Sequence, residues 1–300
     1  MPLWIPVTLA AASFQTVRFM LQKVLSSVTL SAAGATFSRF VYSAPLILLL
    51  LWAYVAATGA ELPALSAQFW GFATIGGLSQ ILATVCVVAL FKERNFAVGI
   101  TFKKTEVIQT AIVGLVVLGD EVSPLGWLAI LIGLAAVLVL SKTKNGPKGI
   151  WRQLTGRAPL LGLGSGVLFA FSAVSYRGAS LQLREPDAVL RAAVTLGVVV
   201  CLQTAMMLVW LVLRDPGQIA RVWAARRVAV WVGLTSMGGS FCWFLAFTLQ
   251  NAAYVKALGQ VELLLSLLAS LVFFKEDVTR REIIGMALLV LSILALILAL

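Results

Sequence analysis

The chain has 300 residues, of which 61% are hydrophobic and 12% charged, and its mean hydropathy is +1.00. A soluble domain carries about 45–50% apolar and about 25% charged residues, so the surplus apolar surface must face lipid rather than water. The net charge of +11 would suggest nucleic acid as the partner of a soluble protein, but in a membrane chain it reads as basic residues gathered in cytoplasmic loops, and no nucleic-acid partner is expected.

A bilayer core of about 30 Å takes roughly 20 helical residues, and the apolar runs are long and continuous, without the alternation of a barrel strand. They predict ten transmembrane helices near residues 3–22, 31–57, 67–91, 96–118, 124–141, 160–180, 187–213, 228–249, 252–274 and 280–300, which use up the chain. The first span lacks a basic leader region and is read as a true span rather than a signal peptide. It carries Gln15, and the third carries Gln80, either of which could hydrogen-bond a ligand. Arg39 lies about two turns into the second span, deep enough to contact an anion bidentately or to anchor the helix.

The fourth span holds Lys103, Lys104, Thr105 and Glu106 near its middle, with Gln109 one turn on. A charge at the bilayer centre costs at least about 2.5–3.5 kcal/mol on insertion scales, so this face is expected to line protein interior or a wet cavity. Lys103 and Glu106, three apart, share a face and can pair, whereas Lys104 points away and would reach a substrate anion or another helix. Arg191 starts the seventh span. The eighth holds Trp243, and the ninth holds Lys256, Gln260 and Glu262. Lys256 and Gln260, four apart, are expected on one face. Asn95 and Asn251 begin the fourth and ninth spans as candidate N-caps. Tyr42, Phe171, Tyr176, Trp243 and Tyr254 are candidates to stack on a ligand, while Trp4 and Trp70 read as members of the interfacial belt. Gly162 and Gly166 form a small-xxx-small pair that favours close helix contact. The chain has no histidine, and Cys86, Cys201 and Cys242 lie apart in apolar spans, so no metal, cofactor or disulfide is expected.

The two halves resemble each other. An offset of 156 places Gly77 on Gly233, Cys86 on Cys242, Phe91 on Phe247, Asn95 on Asn251, Glu106 on Glu262 and Asp120 on Glu276, and a small loop adjustment places Arg39 on Arg191. Residues 1–141 and 160–300 are thus expected to be five-helix units joined by a basic cytoplasmic linker, 142–159. Because five is odd, the second unit would enter the membrane from the opposite side, an inverted repeat of the kind found in secondary transporters. Sixteen Lys and Arg residues flank the odd-numbered loops, against only Arg177 and Arg184 at the even ones. The odd loops are therefore predicted to be cytoplasmic and both termini periplasmic, in the inner membrane of a bacterium.

The turns Leu118-Gly119-Asp120-Glu121-Val122-Ser123 and Phe274-Lys275-Glu276-Asp277-Val278-Thr279, with Arg39 and Arg191 early in the second helix of each half, resemble the drug/metabolite transporter superfamily, specifically its EamA-type members. The resemblance implies a basket of helices around a central cavity, with the last helix of each repeat at the periphery. It also implies movement of a small metabolite, amino acid or drug across the membrane. Many relatives are described with cytoplasmic termini, whereas the charge count of this chain places them outside.

The reading is therefore a secondary transporter, not an enzyme, working by alternating access. A small molecule, the lipid bilayer and a coupling proton are its expected partners, and its state is a monomer or homodimer. Glu106, Glu262, Lys103, Lys104, Lys256, Gln260, Arg39, Arg191, Gln80 and Trp243 are the candidate site residues. Glu106 and Glu262 are candidate proton carriers, since desolvation disfavours an ionised carboxyl; the opposing possibility is that neighbouring lysines hold them as structural ion pairs. The alternatives are an integral membrane enzyme acting on a lipid or isoprenoid carrier, and an assembly or regulatory subunit.

Overall fold

In hydrocarbon a backbone N–H can bond only within its own segment, and the chain is built of helices, with no strand among the described residues. The computed structural model describes residues 2–28, 30–90, 103–141, 157–265 and 280–298. In chain order these form α1 (Trp4–Val28), α2 (Ala32–Thr58), α3 (Ala67–Leu90), α4 (Glu106–Leu118), α5 (Pro124–Ser141), α6 (Arg157–Leu181), α7 (Ala188–Arg214), α8 (Gly217–Ala224), α9 (Arg226–Leu249), α10 (Ala252–Leu258) and α11 (Arg280–Leu298). Among the described residues, helix lies within each stretch that hydropathy picked out. Five of the helices, α2, α3, α6, α7 and α9, are long and apolar enough to cross a membrane, and α4, Pro124–Val139 and Ile283–Leu298 are shorter apolar helices. Asn95, the start of the fourth span, linker residues 142–156 and the turn at 274–279 lie outside the described residues.

Local chemistry sets the ends. The Ser31 hydroxyl accepts from the Gly34 N–H at 3.1 Å and starts α2, and Asp187 starts α7 by accepting from Val189 at 2.8 Å. Asn251 caps α10 as expected, accepting from Ala253 at 2.8 Å. Helix α4 closes at Gly119, whose φ of 69° is the left-handed conformation that glycine adopts without cost.

Burial is inverted relative to a soluble protein. Trp52, Val116, Leu213 and Trp231 are exposed, while Thr8, Gln22, Thr84, Ser165 and Gln203 are buried. Such an apolar exterior around polar packing is what a lipid solvent selects. Trp70 is exposed, as an interfacial residue would be, but Trp4 is not: it is 3% exposed and packs with Ile5 into the core. Position near a span end suggested the belt, and packing against the neighbouring helices decides otherwise. The short helix α8 was not expected; it buries Gln218 and Val222 and leaves Trp223 outside beneath the Arg226 guanidinium, 5.5 Å from the ring centre.

Helix α3 lies along α6, α1 along α9 and α5 along α11, while α2 bridges α7 and α9, and α4 packs on α6 and α10. The α2–α9 crossing is close because Gly233 has no side chain; a Cβ there would meet the Tyr42 backbone carbon at 3.0 Å. Gly233→Ala is expected to destabilise the protein by about 1–3 kcal/mol through overpacking, despite the better helix propensity of alanine. Gly71→Ala, where nothing lies within 4 Å, should be neutral or stabilising. Thermal unfolding in detergent checks the pair, and equal midpoints for both variants would refute the crossing.

The even-numbered loops meet at one end of the bundle. Arg177 donates to Asp120 at 2.7 Å and to the Phe247 and Gln250 carbonyls, and Asn251 donates to the Glu121 carbonyl at 3.2 Å. The Tyr54 hydroxyl donates to Asp187 at 2.5 Å and holds that carboxyl below its usual range. Tyr254, a candidate ligand-stacking residue, instead meets the Ser123 N–H at 3.0 Å.

A buried charged cavity at two helix breaks

The fourth and ninth spans are not continuous helices. Lys103 is helical, Lys104 and Thr105 form a turn, and α4 runs from Glu106. Helix α10 stops at Leu258, Gly259 and Gln260 turn, and helix resumes over 261–265. At this second break Gln260, Glu262 and Leu263 each bond three residues back, to Ala257, Gly259 and Gln260, the tight 3₁₀ pattern that often marks a hinge. The offset of 156 would superpose the two breaks to within one residue.

The breaks bring the expected charges together. Lys103 Nζ lies 3.5 Å from Glu106 Oε2, as the spacing predicted, and Lys256 Nζ lies 3.7 Å from Glu106 Oε1. Lys104 reaches across to pair with Glu262, which also accepts from the Gln15 amide at 2.6 Å. Each glutamate is thus held by a lysine from the other half of the chain. Lys256 sits over the rings of Trp243 and Phe169, at 5.1 and 5.4 Å from their centres, and Lys103 over Phe169 at 5.1 Å, contacts that help to hold a cation away from water.

Beside this cluster lies a cavity of about 20 Å³, room for roughly one water. Its polar wall includes Gln15, Arg18, Arg39, Gln80, Ser240 and Lys256, and its apolar wall includes Phe169, Tyr176, Trp243, Phe244 and Phe247. Arg39 is 4% exposed and donates to the Thr84 and Ser240 hydroxyls, at 3.2 Å each, so it is oriented by α3 and α9. Gln80 accepts from Gln203 at 2.9 Å.

Not every candidate gathers here. Lys256 and Gln260 do not share a face, because α10 ends between them; Gln260 turns, with Lys104, to a separate void of about 10 Å³ beside Ser292. Arg191 stands in the first turn of α7, outside the cavity, its buried Nε without a partner among the described residues. Phe171 is exposed, and Tyr42 donates to the Val222 carbonyl instead of lining the site. Gly166 acts in packing as expected, since a Cβ there would meet the Lys103 carbonyl at 3.2 Å.

Sequence reasoning missed Arg18: its place near the end of the first span puts it among the sixteen cations of the odd-numbered loops, yet it is 4% exposed and lines the cavity. The signal was present: Gln15, Arg18 and Gln22 recur at helical spacing, a polar stripe along α1. Moving Arg18 inside leaves the strong cationic bias of the odd loops intact.

Residues 156–298 match the model of the EamA-like transporter family. A crystal structure of another protein superposes on 98% of this chain and 96% of its own with a TM-score of 0.72 at 16% identity, a likeness of fold. No curated protein matches the sequence.

Proposed function

We propose that the protein is a secondary transporter of a small solute, working by alternating access, a reading supported by the match of residues 156–298 to the EamA-like transporter family. The observation that carries this is the pair of buried carboxylates at two helix breaks, each held by a lysine of the opposite half. Broken helices with charges between two halves are the arrangement in which rocking one half against the other exposes a fixed site to each side in turn. The helix packing supports two inverted units, 1–141 and 160–300 joined by 142–159, because the α1–α9 and α3–α6 contacts are one contact exchanged by the offset. The narrow cavity is then the contracted state, and rupture of the crossing ion pairs is the opening step. Lys103, Lys104 and Lys256 with Glu106 and Glu262 form the latch; Arg39, Gln80 and Trp243 line the solute site. Gln260 seats the hinge and Arg191 anchors α7.

Proton coupling is a second reading. Two ammonium groups stabilise the charged form of Glu106, so Glu262, facing Lys104 and the Gln15 amide and the more open of the two, is where a proton would be carried.

Purified protein in liposomes loaded with unlabelled solute should take up the same labelled solute by counterflow, across a panel of amino acids, organic acids and amphiphilic drugs. Failure of the whole panel together with turnover of a lipid substrate would replace the carrier with the enzyme. In cells, tags at either terminus should react with an impermeant reagent from the periplasm of a multi-pass inner-membrane protein. Labelling only after permeabilisation would reverse the orientation.

A further inference from the structure

The charges around the cavity do not balance. Five cations, Arg18, Arg39, Lys103, Lys104 and Lys256, are buried at or beside it, and among the described residues only Glu106 and Glu262 answer them. The lysines use both carboxylates. Among the described residues Arg39 has the hydroxyls of Thr84 and Ser240 and the Phe40 ring, 5.2 Å from its centre, and Arg18 lies over the Phe19 ring at 4.6 Å, so neither guanidinium has an anionic partner there. The two guanidinium groups line one cavity and repel each other. Unpaired buried charge is costly, and a guanidinium fork is matched in geometry to an oxyanion.

Two further features describe the rest of the ligand. The Trp243 indole Nε1 is buried without an acceptor among the described residues, a third donor at the same cavity. The facing wall is aromatic, with Tyr176 stacked on Phe244 at 4.2 Å and Trp243 on Phe247 at 5.7 Å between centres. Flat rings in stacked pairs accept a flat apolar body.

We propose that the solute is a small organic anion, an oxyanion head on a planar apolar body, with its head between Arg18 and Arg39 and its body against Trp243 and Phe247. This rests on the reading of the cavity as the solute site of a carrier. Substrate anions would enter by displacing the Thr84 and Ser240 hydroxyls from Arg39 as the halves separate.

The test uses three ligands of one shape and different charge: benzoate, benzamide and benzamidine. Equilibrium dialysis against the purified full chain should give benzoate at least about tenfold tighter than benzamide, with benzamidine weakest. Arg39→Gln should erase the preference and Arg39→Lys restore part of it, while Arg191→Gln, outside the cavity, should keep it. Equal binding of the three, or a preference for benzamidine, overturns the proposal whether or not the variants fold. Counterflow of benzenesulfonate, which stays ionised and does not leak across lipid as a neutral acid, separates the two readings. Anion binding without counterflow sinks the carrier alone, whereas counterflow confined to neutral or cationic solutes sinks the anion alone.

Discussion

Glu106→Gln should destabilise the protein by about 3–5 kcal/mol, the cost of removing one partner from a buried ion pair. The substitution keeps the side chain's shape and removes only its charge, so no cavity contributes. It leaves Lys103 and Lys256, at 3.5 and 3.7 Å from the carboxylate, facing each other across an uncharged amide. Removing a cation has the opposite expectation. Lys103→Met lowers an existing excess and leaves Glu106 paired with Lys256, so its stability should equal or exceed the parent's. The double variant Glu106→Gln/Lys103→Met should recover part of the loss, and the difference from additivity measures the coupling. Thermal and denaturant unfolding in detergent reads all three, and counterflow should fall to background in Glu106→Gln. A Glu106→Gln protein as stable as its parent, or a Lys103→Met protein equally damaged, would mean that the positive excess is balanced by groups other than those named.

That asymmetry depends on a cluster whose members the sequence revealed without revealing their arrangement. Charged residues in apolar spans are rare enough that Lys103, Lys104, Glu106, Lys256 and Glu262 stood out by type alone, and the i,i+3 rule paired Lys103 with Glu106 correctly. Helical spacing failed at the next step because it assumes an unbroken helix. Gly259 is the one local sign of the second break, and nothing in Lys104-Thr105 announces the first. Once α10 ends at Leu258, the four-residue relation between Lys256 and Gln260 no longer fixes a shared face. A Cβ at Gly259 would come within 2.5 Å of the Trp243 ring, so tertiary packing as much as propensity holds the turn. Arg18 and Trp4 failed for a related reason: nearness to the end of a span was read as nearness to water, when neighbouring helices bury both. Arg39 and Arg191 correspond in the two halves but differ in depth, and the structure keeps that difference: Arg39 lies among α3 and α9 while Arg191 occupies the first turn of α7. Duplication preserves topology, and each copy then places its own side chains.

A membrane potential should drive the transport of benzenesulfonate strongly. If Glu106 and Glu262 both keep their lysine partners through the cycle, the cluster carries no proton in either direction, and a monovalent anion then crosses as a net negative charge. Moving one charge through 100 mV is worth about 2.3 kcal/mol, which at about 1.4 kcal/mol per factor of ten corresponds to a ratio of roughly 50. Vesicles holding a potassium diffusion potential of that size should therefore accumulate the anion about 50-fold on the positive side, and collapse of the potential should release it. In a cell whose interior is negative, the same field directs the flux outward, so the carrier would act as an exporter without a coupling ion. A proton travelling with the anion would cancel the charge: the potential would then have no effect, a gradient of one pH unit would give about tenfold accumulation, and Glu262→Gln would abolish it. Response to the pH gradient alone would assign the proton to the cluster and remove the uncoupled mechanism, because no fixed pairing of Glu106 and Glu262 with lysines can be both permanently ionised and a site of proton exchange.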